Sequence, residues 1–125
     1  MKKYFFAICI LWACTGEAQK VVLMPTEFQK KAKETPDAIL LDVRTPEEID
    51  AGRIENSQSI VFDDSFDKKL ERLQHKPLFV YCASGKRSAK AAKILRDKGY
   101  KNVFELEGGI NAWRETGLPI DHSKR

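Results

Sequence analysis

Short apolar runs and longer stretches of helical period take turns along the chain. The runs at 20–24, 38–44, 59–62, 77–81 and 102–106 read as strands. The unbroken apolar character of 38–43 and 77–81 is that of strands covered on both faces, as in parallel sheets. Between these runs the period changes to that of an amphipathic helix. Phe28 and Ala32 share one side of a helix that Thr26 and Gln29 would open as a capping box, after Pro25 ends the first strand. Thr45-Pro46-Glu47-Glu48 is a second helix start, with a capping threonine, a proline in the first turn and a glutamate three residues on; Gly52 ends that helix early. Phe66, Leu70 and Leu73 mark a third helix. Ala89, Ala92 and Leu95 mark a fourth, stopped by Gly99, and Ile110 and Trp113 a fifth, stopped by Gly117-Leu118-Pro119. Strict alternation of strand and helix predicts an α/β domain, a five-stranded parallel sheet with helices on both faces. Trp113 reads as a core or pocket-wall aromatic, His75 as a solvated turn residue and residues 121–125 as a frayed tail.

The N-terminal segment stands apart from this alternation. Lys2-Lys3 followed by an apolar run at 4–13 is too short to span a bilayer and matches a signal-peptide core. Residues 1–18 are therefore read as a signal peptide and 19–125 as the folded domain of an exported protein, in the bacterial periplasm or cell envelope. The alternative is a lipoprotein signal, Leu11-Trp12-Ala13-Cys14, ending before Cys14, which would be lipidated; that is the only membrane association expected. The bulk of Trp12 favours the first reading. Removal of Lys2, Lys3 and Glu17 would lower the formal net charge from +4 to +3. Of three cysteines, Cys9 and Cys14 would leave and Cys82 would remain. A lone cysteine makes no disulfide framework and is a candidate reactive thiol. Basic and acidic residues are interspersed, so no nucleic-acid partner is expected. With 125 residues there is room for one domain.

The loop that follows the strand at 77–81 carries the candidate chemistry: Cys82-Ala83-Ser84-Gly85-Lys86-Arg87-Ser88. It lies between a buried strand and a helix, with the cysteine first. Backbone N–H groups at a helix start lack intrahelical partners and carry partial positive charge. A loop curled around Sγ can aim several of them at one point, and Lys86 and Arg87 add full charges. Such surroundings lower a thiol pKa and make a thiolate nucleophile. The competing reading is a small hydrophobe buried at a strand end. Gly85 and the two cations argue for the nucleophile, and Ser88 is placed as the N-cap of the following helix. Asp42 and Arg44, at the carboxyl end of their strand, would share the rim with Cys82. No metal-ligand spacing is present around His75, and no cofactor is expected.

Three stretches together resemble the rhodanese-like sulfurtransferases. Asp42-Val43-Arg44-Thr45-Pro46-Glu47-Glu48 with Gly52-Arg53-Ile54 is similar to the family's first signature. Cys82 to Ser88 is similar to its C-x-x-G-x-R-S loop, and Gly108-Gly109-Ile110-Asn111-Ala112-Trp113 to its closing motif. The chain departs at Arg53, where the family often has histidine, and at 55–58, where it more often has a P-G-A turn. The resemblance implies a single rhodanese-like domain working by double displacement. Cys82 would take a sulfane sulfur from a donor such as thiosulfate, and the persulfide would pass it to cyanide or a thiol, a protein thiol among them. Cys82 and Arg87 are the implied catalytic residues; Arg44, Ala83, Ser84, Gly85, Lys86 and Ser88 would bind the donor, with Asp42 supporting them. Two alternatives stand beside this: a sulfur-carrier or interaction module without turnover, and a cysteine-dependent phosphatase or arsenate reductase. The four residues between Cys82 and Arg87 argue against the second, because phosphatases of this kind place five there and need the wider cradle.

Overall fold

The computed structural model describes residues 20–124, so the signal-peptide and Cys14 readings lie outside the described residues. In chain order the elements are β1 (Val21–Leu23), α1 (Pro25–Glu34), β2 (Ile39–Asp42), α2 (Pro46–Asp50), β3 (Gln58–Ser59), α3 (Phe66–Lys69), β4 (Leu78–Tyr81), α4 (Lys86–Asp97), β5 (Val103–Leu106) and α5 (Gly109–Glu115). All strand pairs are parallel, in the order β1-β5-β4-β2-β3, which puts β4 at the centre.

Side chains alternate between the two faces of a strand, and β4 shows what that does here. Leu78 and Val80 point into a core closed by Phe66, Leu70, Ala91, Ala92 and Leu95, from α3 and α4 with the turn after α3. Phe79 and Tyr81 point to the other side, against Phe28, Ile110 and Trp113 from α1 and α5. The expected sheet with helices on both faces is therefore present. Ala91 and Ala92, fully buried, let α4 approach the sheet closely. Trp113 is buried as expected, and its ring N–H donates to the Pro119 carbonyl at 2.8 Å.

Several local expectations are corrected. Helix α1 begins at Pro25, with Met24 at the N-cap and no side-chain cap, so Thr26 lies inside the helix and forms no capping box. Proline's fixed φ suits the first helical position and starts the helix earlier than threonine would. Strand β3 is only Gln58–Ser59 instead of 59–62, although Ile60 and Phe62 still donate backbone bonds to Asp42 and Val43. The third helix tightens after Lys69 into a 3-10 turn at Leu70–Arg72. Residues 121–123 are not frayed. Arg53 and Asp121 exchange both backbone hydrogen bonds, at 3.0 and 2.7 Å, and the Arg53 guanidinium reaches the Ser123 carbonyl at 2.7 Å. His75 is exposed as expected, yet its ring lies stacked on Tyr100, 4.1 Å between centroids.

Candidate active site

The loop after β4 emerges at the carboxyl edge of the sheet's central strand and closes into the first turn of α4. Cys82 continues the parity of Leu78 and Val80, so its side chain faces α4, and the residue is only 1% exposed. Burial among apolar neighbours alone would leave it inert. The loop changes that. Gly85, with φ of 103°, turns its N–H onto Sγ at 3.0 Å. The thiol donates to Ser88 Oγ at 3.4 Å, and the Ser88 hydroxyl donates to the Gly85 carbonyl at 3.2 Å. Burial pushes the Cys82 thiol up, but the ionised sulfur can accept from the Ser88 hydroxyl, turned away from Gly85, and from the backbone of Ser88, Gly85 and Ser84; these bonds outweigh burial, and the pKa lies below that of an ordinary cysteine. Cys82 is thus a packed thiol whose ionised form is favoured by the hydrogen bonds around Sγ.

Ser88 is not the N-cap. Gly85 takes that position, α4 starts at Lys86, and Ser88 is buried in the first turn. The left-handed backbone at 85 is open to glycine at little cost, and moving the helix start upstream frees the serine hydroxyl for Cys82.

From below, the start of α5 grips the loop. Ile110 N–H donates to the Cys82 carbonyl at 2.9 Å and Asn111 N–H to the Ala83 carbonyl at 3.1 Å. Ala83 is half-buried against this support, whereas Ser84 and Lys86 are exposed, and Lys86 forms no ion pair with any described residue.

Both arginines are held by carboxylates. Arg44 is buried and closes on Asp42, its Nε and Nη2 reaching the carboxylate at 3.0 and 2.7 Å. Nη1 and Nη2 also donate to the carbonyls of Glu48 and Gly52, at 3.2 and 2.8 Å. So engaged, Arg44 clamps the segment after β2. Arg87 is half-exposed, and both its terminal nitrogens hold Glu48, at 2.7 and 2.9 Å. Glu48 is pinned in turn by the capping box of α2, from Thr45 N–H at 3.3 Å and Thr45 Oγ at 3.1 Å. The hydrogen bond from Arg87 holds its carboxyl at about 2, well below an ordinary 4.5. Arg87 and Cys82 lie within electrostatic range, the thiolate adding to the upward push on the guanidinium that comes first from Glu48.

Three further residues make contacts around the loop that the sequence does not announce. Glu48 was legible only as a helix cap. Tyr81 hydroxyl accepts from Ile54 N–H at 3.1 Å and donates to Ser57 at 3.0 Å, fixing the segment between α2 and β3. Gly109 is packed against the loop backbone. No local pattern announces the second or third, because both contacts join separate parts of the chain. No cluster of His, Cys, Asp or Glu suited to a metal exists among the described residues, and no helix among them is long and apolar enough to cross a membrane.

Known proteins resemble this chain in sequence and in fold. Residues 24–116 match the family described as Rhodanese-like domain. A protein of Allochromatium vinosum named sulfurtransferase is 36% identical over 93 residues, covering 74% of this chain and 87% of its own. A rhodanese-related protein of Thermoplasma volcanium superposes with a TM-score of 0.73 at 32% identity, over 82% of this chain and 99% of that one. A tRNA uridine(34) hydroxylase of Cytophaga hutchinsonii is 36% identical over 70% of this chain, which spans only 30% of that longer protein.

Proposed function

Because the chain belongs to the rhodanese-like domain family, we propose that it is a sulfurtransferase that carries a sulfane sulfur on Cys82. The observation that carries this reading is the Gly85 N–H directed at Sγ from 3.0 Å, at the head of a helix twelve residues long.

In the first step the Cys82 thiolate attacks the outer sulfur of the donor. A new S–S bond forms at Sγ, the donor's own S–S bond breaks, and the leaving group departs with the electron pair. The terminal sulfur of the resulting persulfide carries the negative charge, which the loop amides of Ser84, Gly85 and Ser88 can share. In the second step a thiol or cyanide attacks that terminal sulfur, and the pair from the broken bond returns to Sγ as thiolate. Amides preset around one atom favour such charge without reorganising during the reaction. The path needs no cofactor. Ser84 and Lys86 are exposed on the loop, the side from which donor and acceptor would approach. The substrates of this proposal are a small sulfane donor and a thiophilic acceptor, including a protein thiol, and export to the cell envelope is part of it.

The test is intact mass after incubation with a sulfane donor and removal of excess reagent. A gain of one sulfur atom, lost again on adding cyanide and absent in Cys82→Ala, is the expected result. No gain with any donor would leave a binding module.

A further inference from the structure

A sulfane donor brings two demands: its outer sulfur must reach Sγ, and its leaving group must depart with negative charge. Sulfite departs from thiosulfate as a dianion, whereas a thiolate departs from a persulfide as a monoanion. Cations at the mouth decide which is easier. Here Arg44 is closed on Asp42, and Arg87 is closed on Glu48 through both terminal nitrogens. Lys86 alone among the loop cations is left without an acidic partner in the described residues.

Glu48 is built to stay where it is. It belongs to the capping box of α2, and the Arg44 guanidinium donates to its backbone carbonyl at 3.2 Å. An anionic donor would have to compete with this carboxylate for Arg87. The carboxylate is intramolecular, already oriented, and ionised throughout the physiological range.

We propose that Glu48 is a specificity-determining residue that occupies Arg87 and so selects donors with a thiolate leaving group, organic or protein persulfides, over thiosulfate. The inference rests on the sulfur-transfer reading above and names its substrate class. The balanced step is attack of the Cys82 thiolate on the outer sulfur of R–S–S–H. The Sγ–S bond forms, the donor's S–S bond breaks, and R–S⁻ leaves with the pair. The proton on the transferred sulfur then passes to the departing thiolate, giving R–S–H and the Cys82 persulfide anion.

The experiment measures the rate of sulfur gain on Cys82 by mass spectrometry, with cysteine persulfide and with thiosulfate, in the wild type and in Glu48→Gln. The amide keeps an acceptor for Thr45 but leaves Arg87 without its charge partner. The wild type is expected to load faster from the persulfide. In Glu48→Gln the thiosulfate rate should rise about fivefold, the scale of one half-exposed charge pair, with the persulfide rate little changed. Glu48→Gln combined with Arg87→Met should lose the gain. Thr45→Ala, which disturbs the cap and spares the ion pair, should leave the donor ratio at its wild-type value. An unchanged or lowered thiosulfate rate in Glu48→Gln, with persulfide loading intact, would overturn the inference alone. So would a Thr45→Ala variant that reproduces the Glu48→Gln ratio. No loading from either donor in the wild type would overturn the sulfur-transfer reading together with it.

Discussion

Gly109 lies so close to Ala83 that the two backbones leave no room for a methyl group. A Cβ on Gly109 would stand 2.5 Å from the Cys82 carbonyl oxygen and nearer still to that of Ala83, the same two oxygens that α5 holds through Ile110 and Asn111. The nucleophile loop is thus seated directly on the start of the last helix.

Gly109→Ala should therefore be the most damaging single methyl near the site. Its φ of 61° is disfavoured for alanine as well as crowded. Left-handed backbone costs a non-glycine residue about 1–2 kcal/mol before any clash is counted. Urea denaturation should show a loss of at least about 2 kcal/mol, with a parallel loss of sulfur loading; a loss within 0.5 kcal/mol, roughly the range of a neutral surface change, would show that the loop rests elsewhere.

Cys82 should titrate below a free thiol, whose pKa is about 8.5. The rate of its alkylation by iodoacetamide, followed against pH, should have a lower midpoint in the folded wild type than in the urea-unfolded chain. Ser88→Ala removes one of the hydrogen bonds that lower it and should move the midpoint up. The sign for stability follows from the depressed folded pKa: this group's contribution is present above the unfolded value and lost as pH falls through the folded one. A midpoint in Ser88→Ala equal to or below that of the wild type contradicts this account.

Acid should release the Glu48–Arg87 pair. The Glu48 carboxyl is lowered from an ordinary 4.5 to about 2, so its contribution is full above about 4.5 and fades as pH falls toward 2. Both side chains are about one-third exposed, at 34% and 32%, so solvent screening limits the pair to about 1 kcal/mol or less. Urea denaturation at pH 7 and pH 3 should show a smaller acid loss for Glu48→Gln than for the wild type, and identical losses would remove the pair from the ledger.

Asp42 and Arg44 should be unequal to any single replacement. Both are buried, 2.7 Å apart. Removing one partner leaves a charge without its counterion, at about 3–5 kcal/mol. Asp42→Ala should lower the thermal midpoint sharply, and Asp42→Asn, which keeps an acceptor, less so. The opposite order would mean that the side-chain acceptor is not what the clamp uses.

The tail should be needed for the fold. The buried Arg53 guanidinium finds Ser123 Oγ at 3.0 Å and Asp121 at 3.4 Å. A chain stopped after Ile120 would strip these acceptors, and loss of a buried hydrogen-bonded partner costs about 1–3 kcal/mol. Denaturant curves of the shortened and full chains check this; coincident curves would return residues 121–125 to a loose end.

What the order of residues settled by itself was periodic and local. Apolar runs of strand length separated by helical stretches were enough for the parallel sheet and its two covered faces. The Thr45–Glu48 capping box was legible because both partners lie within one turn. The place of Cys82 at a strand-to-helix turn followed from the same periods. Pairings between distant charges were not legible. Arg87 and Glu48 are 39 positions apart, and Arg53 and Ser123 are 70 apart. A guanidinium written next to a cysteine reads as a group for the substrate, and only folding reveals that a carboxylate from another helix already holds it. Facing is encoded in spacing along the chain, because a backbone repeats; partnership between charges depends on which elements pack together, and many sequences with the same periods would pack different acids against the same arginines.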